Sequence, residues 1–564
     1  MFPPPPPPAP VSEVRGADQS IGTQVRIGGV ASEAVWQWVG RDQNSPLELW
    51  IPLDLLTGRL GFQRVQSESG EMLEWFGRRQ PLQALPKRTL EDEVAVNAAP
   101  WFSALGVLTS RRNEILSISL RNPSVLNLRQ GRGSTAGRLV FDLTGPALMQ
   151  RQNNDLLLGV ALTAAQETQL RRLGLVAQRE RQGLRLKGGA SQPTLTLASP
   201  WRIVIDGLTA ANAPPARSAA SALQAARLNP EIQAATRQGL VFDVRTVRVG
   251  VKPLRVFRAG APFNSTGLEL RPLAPRGAQT GLRFLKQLVQ PERALLAING
   301  GFFNRVRQLP LGAVRVDGTW LSGPILNRGA IGWSRGNRLL FNRLSLDQVM
   351  QVRGGRRWGL GLLNSGYVQR GLSRYTRAWG PVYRALSGEE KAITVRDGTV
   401  TDLHERAELV RGVPLSPGSS LIVSRAGAPL PAQPGDRVSI TLRSSSPVGD
   451  QPHVLAGGPL LLKNGQVVLQ GRKEGFSQGF LALSAPRTVV AQDRKRVWLL
   501  TIQGTSGGGP TLLETTLALQ QMGLVDALNL DGGSSTTLIA ADRTVMTGRG
   551  VTPRVQNGLG LVPR

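Results

Sequence analysis

Short apolar runs broken by glycine- and asparagine-rich turns fill most of the chain, and their texture changes along it. Leu47-Glu48-Leu49-Trp50-Ile51-Pro52-Leu53 followed by Leu60-Gly61-Phe62 predicts strand, short helix, strand. Residues 115–120, 138–143, 155–162 and 201–205 alternate or stay apolar over strand lengths, so 111–209 reads as β-rich. Residues 210–238 are rich in alanine with Pro214-Pro215, which reads as a linker carrying one helix. From Gly239 onward, apolar strands alternate with glycine turns. Within that part, Asp397-Gly398 and Pro434-Gly435-Asp436 mark residues 381–450 as a β-rich insertion. Leu512, Leu513, Leu517, Leu519 and Met522, closed by Gly523, predict a helix over residues 511–522. No repeat of fixed period is present. The expected organisation is a proline-rich tail (1–19), a small α+β domain (20–110), a β-rich module (111–209), a linker (210–238) and a mixed α+β domain (239–564). The overall class expected is α+β, multidomain.

Length agrees, since 564 residues make roughly three to five domains. Composition then removes several chemistries. There is no cysteine, which excludes disulfide scaffolds, thiolate metal sites and a cysteine nucleophile. His404 and His453 are the only histidines, so a site with three histidine ligands is excluded too. No apolar run reaches the roughly 18 residues of a transmembrane helix. The net charge of +30 is carried by arginine, which supplies 60 of the 68 basic residues, a bias that a GC-rich genome would also produce. It is uneven: residues 1–110 are net −3, residues 111–250 net +11 and the remainder +22. The arginines are scattered singly and aromatics are only 5%, so a solvated basic surface is expected rather than a nucleic-acid groove. Such a surface is compatible with anionic partners such as cell-wall glycans or acidic lipids. Residues 3–8 are six prolines, a polyproline II spacer. No basic start followed by an apolar run is visible in this chain. The proline-rich start resembles the linker that follows a removed signal, so a periplasmic or secreted location is expected, with a cytoplasmic one as the alternative.

Four segments carry candidate chemistry. A fully apolar strand ends at Asn299 and runs into Gly300-Gly301-Phe302-Phe303; glycines there let a ligand approach the backbone. Gly457-Gly458-Pro459 opens another apolar strand, followed by the hairpin signal Asn464-Gly465, and could turn backbone N–H groups toward a ligand. Arg487-Thr488 begins a buried-looking strand; an arginine at a strand mouth offers a planar fork suited to phosphate. Asn529-Leu530-Asp531-Gly532-Gly533-Ser534-Ser535-Thr536 ends a strand in a carboxylate, a glycine loop and hydroxyls, an arrangement that aims the carboxylate at a substrate.

Taken in order, these segments resemble the phosphodiester glycosidase family over residues 240–564. The shared positions also include Gly329-Ala330-Ile331-Gly332, Asn364, Tyr375-Thr376, Trp379-Gly380, Glu514 and Arg554-Val555. The animal member of that family removes N-acetylglucosamine from a sugar-1-phosphodiester. Two shorter likenesses lie upstream. Residues 138–146 are similar to the amidase N-terminal (AMIN) domain, associated with cell-wall binding. Residues 20–110 loosely resemble the small stalk domain of copper amine oxidases. The family pattern is broken at Gln503, where it carries Asp, and at Ala491 and Ser534, where it carries Gly.

The resemblance implies a hydrolase of sugar-1-phosphodiester bonds. Its leaving group is already acidic, so strong general-acid help is dispensable. What remains is to stabilise an oxocarbenium-like sugar and to clamp a phosphate. Asp531 is expected to be the central carboxylate, Glu514 the second and Arg487 the phosphate holder, with Arg328 a further phosphate candidate. Asn299, Gly300, Gly301, Gly457, Gly458, Gly532, Gly533, Ser535 and Thr536 would bind and orient substrate. No acidic run resembles a calcium loop, so neither metal nor cofactor is expected. The expected partners are a glycan or sugar-phosphodiester substrate and peptidoglycan through residues 1–210, with no nucleic acid. The alternative is a non-catalytic envelope glycan-binding protein on the same fold, which Gln503 keeps open.

Overall fold

The computed structural model describes residues 18–564 apart from 41, 68–69, 91–92, 132–137, 153–154, 174, 188, 190–191, 193, 207–218, 305–306, 335, 506–508 and 549–552. The proline-rich tail and Pro214-Pro215 lie outside the described residues. The fold is strand-rich and built of several sheets. The described residues of 1–151 and 155–213 form one compact unit, and those of 152–154 and 214–564 another.

In the first unit, Glu48–Pro52, the helix Leu53–Arg59 and Gln63–Ser67 follow the strand-helix-strand pattern expected. The strands Ile115–Ser119, Leu139–Leu143, Asp155–Leu158 and Trp201–Ile205 form where the apolar runs place them. The boundary at residue 110 does not hold. Ile115–Ser119 pairs in parallel with Asp18–Ile27, and Leu108–Arg112 pairs with it in turn, so both strands complete a seven-stranded sheet begun at residue 18. One apolar cluster also runs from Val25 to Ile205. Within it Phe62 stacks on Trp75 at 4.6 Å between centroids, and Phe76 meets Trp201 edge-on at 5.8 Å. Residues 20–110 and 111–209 therefore share a core instead of forming two domains.

The second unit is organised around an antiparallel seven-stranded sheet. Its order is Val241–Val249, Lys252–Pro262, Arg496–Gly504, Arg487–Gln492, Asp526–Asn529, Leu460–Lys463 and Gln466–Val467. Its central strands are apolar at nearly every position because alternate side chains enter different cores. Val490, Leu499 and Leu528 join Ile298, Leu538 and Leu559 of a neighbouring five-stranded sheet. Val489, Ala491, Leu500 and Ile502 instead meet Leu512, Ala518 and Leu519 of the helix Leu512–Gln521. With both faces covered, the alternation of a half-exposed strand disappears. Asn464-Gly465 turns the hairpin after Lys463 with φ values of 51° and 78°, the paired left-handed conformation that a two-residue hairpin requires.

Two expectations are corrected in this unit. The linker span holds two helices, Ala219–Arg227 and Pro230–Arg237, the second started by Asn229 accepting the N–H groups of Glu231 and Ile232. Leu223, Ala226, Ile232 and Ala235 pack into the main core, which makes these helices part of the domain. The β-rich insertion is likewise not self-contained over 381–450. Val438–Ser444 pairs with Leu346–Val352, and Ser419–Arg425 pairs with Gly371–Thr376. The strand-rich part thus begins near residue 346. A buried Arg425–Glu390 ion pair at 2.7 Å, bonded to the Tyr383 hydroxyl, lies inside it.

Candidate functional site

Four chain segments meet at one end of the central sheet, and the fully buried Asn299 is their junction. Its strand, Leu296–Asn299, lies between Gly558–Pro563 and Thr537–Ala540. The Asn299 Nδ2 donates to the Asp531 carbonyl at 2.7 Å. Its Oδ1 accepts the Thr488 hydroxyl at 2.8 Å and the Thr537 N–H at 3.0 Å. One side chain thus ties its own strand to residues 189 to 238 positions away in sequence. In such a buried place, each bond also removes the cost of an unpaired polar group.

Backbone bonds tighten the junction. Asp531 donates its N–H to the Gly300 carbonyl at 3.0 Å, Leu530 donates to Thr488 at 2.8 Å and Gly533 to Pro486 at 2.7 Å. Gly458 donates to the Asn529 carbonyl at 2.8 Å, and the Asn529 amide donates back to the Gly458 carbonyl at 2.8 Å. Asn557 accepts the Gly301 N–H at 2.8 Å through its side chain and the Gly300 N–H at 2.9 Å through its carbonyl. These approaches explain the glycines. A Cβ on Gly300 would strike the Asn557 side chain, and one on Gly457 the Asn529 carbonyl.

Arg487 and Asp531 are neighbours at the rim. Val489 pairs with Asn529, and continuing that antiparallel register sets Arg487 across from Asp531. Both are buried, Arg487 at 1% exposure and Asp531 at 8%. The Arg487 Nε donates to the Pro510 carbonyl at 3.1 Å, and a terminal N–H donates to Leu483. Its guanidinium lies 5.8 Å from the Phe480 ring centroid. Phe480 stacks on Phe476 at 4.8 Å, and Phe302 touches both. On another side of this cluster Arg328, also buried, lies 4.1 Å from the Phe476 centroid and 5.3 Å from that of Phe302. Two buried arginines therefore share one phenylalanine cluster, which replaces part of the hydration they lose.

Gly532, Gly533, Ser535 and Thr536 form the turn after Asp531, held by bonds from Ser535 to Gly532 and Thr536 to Gly533. Ser535 and Thr536 are fully buried. Among the described residues, the Thr536 hydroxyl and the Asn529 Oδ1 have no hydrogen-bond partner.

Glu514 lies one peptide from Arg487, since the Pro510–Thr511 unit accepts from Arg487 through its carbonyl and donates to Glu514 through its N–H. It occupies the first turn of its helix, where its carboxylate accepts the Thr511 N–H at 2.7 Å while Thr511 caps the Glu514 N–H. Lys252 binds the same carboxylate at 3.0 Å. Burial pushes its pKa up, but the Thr511 N–H and the Lys252 ammonium outweigh this and hold it below the ordinary value. Capping and ion pairing engage the group in this structure.

Sequence reading missed another acid. Glu474 is wholly buried beneath the 457–460 turn and accepts the Gly329 N–H at 2.7 Å, the Leu460 N–H at 3.1 Å and Arg343 at 3.0 Å. Burial raises its pKa, against the pull of those donors. A lone Glu following Arg472-Lys473 gave no signal. Asn557 was also missed, although it lies next to the Arg554-Val555 match. Gln503 sits on the rim, one residue beyond Ile502, the register partner of Arg487. His453 lies at the opposite end of its strand from Gly457; burial and Arg271 lower its pKa.

No helix among the described residues is long and apolar enough to cross a membrane. None of the curated proteins matches the chain. The crystal structure of a hypothetical protein from Synechocystis is 30% identical, covers 96% of this chain and 99% of that one, and superposes with a TM-score of 0.58. The zebrafish N-acetylglucosamine-1-phosphodiester alpha-N-acetylglucosaminidase catalytic domain, auto-inhibited by its pro-peptide, is 13% identical with a TM-score of 0.31, covering 58% of this chain and 83% of that one. Residues 380–562, which contain Arg487 and Asp531, match the phosphodiester glycosidase family model. Over residues 380–562 the chain belongs to the phosphodiester glycosidase family.

Proposed function

We propose that this chain hydrolyses the bond between a sugar's anomeric carbon and a phosphodiester, in cell-wall or exported glycan. The observation that carries the reading is the Asn299 junction, which fixes the Asp531 backbone against Gly300 and Thr488 beside a buried arginine. Water forms a bond to the anomeric carbon, and the carbon–oxygen bond to phosphorus breaks. The electron pair leaves on a phosphate monoester, and the water proton passes to a base. Asp531 supplies negative charge to the cationic sugar and is the base or nucleophile. Arg487 supplies positive charge to the departing phosphate, with Arg328 as a second cation. The backbone of Gly300-Gly301, Gly457-Gly458 and Gly532-Gly533 lets substrate approach closely, and Ser535 and Thr536 orient it. The protein works in the periplasm or after secretion, with residues 1–210 on peptidoglycan; pull-down of the full chain on isolated peptidoglycan tests that contact.

Purified protein is expected to release free sugar from a sugar-1-phosphodiester, and Asp531→Asn to abolish release while the circular dichroism spectrum stays unchanged. A wild type as inert as the variant across several such substrates overturns the reading.

Gln503 favours a second reading, an envelope glycan-binding protein without turnover. It puts an amide on the rim, at a position where the family carries a carboxylate. Binding of glycan phosphodiesters without hydrolysis would select it, and Gln503→Asp would then be expected to gain activity.

A further inference from the structure

A second polar feature lies beside Arg328. A cavity of about 100 Å³ is walled by Asn327, Ser345, Gln348, Tyr367 and Gln369 over an apolar floor that includes Leu363. No charged side chain lines it. We propose that this cavity is a subsite for an uncharged, hydroxyl-bearing group of the ligand. The assignment rests on the sugar-phosphodiester reading only for what lies next door, the cation of Arg328.

Gln348 is the central observation. It sits on the strand Leu346–Val352, held on both sides by Arg357–Gly359 and Val438–Ser444, and is 2% exposed. Its Nε2 donates to the Leu360 carbonyl at 3.2 Å, which fixes the orientation of the amide because a carbonyl accepts only donors. Its Oε1 is then left buried with no hydrogen-bond partner among the described residues. A buried carbonyl oxygen in that state is destabilising until a donor arrives. A ligand hydroxyl is such a donor.

Another part of the lining is held in an unusual conformation. Leu326 and Asn327 have φ values of 52° and 50°, two successive non-glycine residues in the left-handed region. Such residues are strained and persist where their surroundings impose them. Here Arg328 donates its N–H to Ile325 at 3.1 Å, and its guanidinium is stacked on Phe476 and Phe302. The chain that turns Arg328 into the phenylalanine cluster thus turns Asn327 toward the cavity. Gly323 bonds to the Leu363 carbonyl at 2.8 Å and joins the two parts of the lining.

Size and charge set the ligand class. The volume exceeds the ~10–15 Å³ that holds one water but lies well below the ~300 Å³ where pockets for whole small molecules begin. The cavity takes a substituent, then, and its amides and hydroxyls suit a polyol edge. That edge belongs either to the sugar or to a polyol on the far side of the phosphate.

Ligand-observed NMR on the full chain, titrated separately with methyl glucoside and with glycerol, distinguishes these sources. At least one probe is expected to bind the wild type, and Gln348→Leu to weaken it at least tenfold. Asn327→Gly, which keeps the backbone conformation and deletes the amide, is expected to weaken the same probe without loss of thermal stability. This second variant keeps the test decisive if Gln348→Leu does not fold. Binding of neither probe, or binding that the variants leave unchanged, overturns the subsite. Asp531→Asn separates the two readings, because it should abolish turnover and leave probe binding intact. Turnover by the wild type with KM unaltered in Gln348→Leu would leave the hydrolase standing and remove the subsite.

Discussion

At the scale of single residues, Asn299 carries the site without being chemically reactive. Its amide satisfies a carbonyl, a hydroxyl and an N–H that would otherwise be buried unpaired. Asn299→Ala removes all three bonds, and unpaired buried groups cost about 1–3 kcal/mol apiece. We expect a loss of about 2–4 kcal/mol in urea unfolding together with loss of activity. Retained activity with normal stability would mean that the junction does not position Asp531. Most residues of the site were legible because close backbone approach demands glycine and leaves a pattern in the sequence. Gly300, Gly457 and Gly532 belong to that class. Glu474 and Asn557 were not legible, since their partners are backbone N–H groups brought near only by folding.

At the scale of elements, the helix Leu512–Gln521 was read correctly within a residue at each end, because its apolar spacing and its Gly523 stop are local signals. The role of Glu514 is not fixed by local sequence, because a carboxylate three residues after a threonine fits both a capping box and a catalytic pair. The capping role gives a prediction. The folded-state pKa of Glu514 is depressed, so its contribution to stability is complete above its unfolded value and is lost as pH falls through the folded value. Glu514→Ala should cost about 1 kcal/mol at neutral pH and much less below the carboxylate range. Glu514→Gln, which can still cap, should cost less than Glu514→Ala. Denaturation curves at neutral and acidic pH check both, and an equal cost at the two would remove the ionised cap. If Glu514→Gln instead abolished hydrolysis with the fold intact, the catalytic assignment would stand.

At the scale of the whole molecule, the chain divides into two units, each with its own apolar cores. Residues 20–110 and 111–209 contribute to the same core, so they are expected to unfold together. Differential scanning calorimetry should resolve two transitions, one for each unit; three, with a separate one for residues 20–110, would contradict the shared core. Which segments become buried strands, where the chain turns on Asn-Gly and Asp-Gly, and that four glycine-flanked strand ends exist can all be read from short stretches of the chain. Periodicity, turn chemistry and close-packing demands act over a few residues and are written locally. Which strands pair across module boundaries, that the helices at 219–237 belong to the second unit's core, and that Asn299, Arg487 and Asp531 share one rim while Glu514 caps a helix emerge only on folding. Those outcomes depend on contacts between residues up to hundreds of positions apart. Their energy comes from burying common surface and pairing polar groups, and neither is a property of any short stretch of chain.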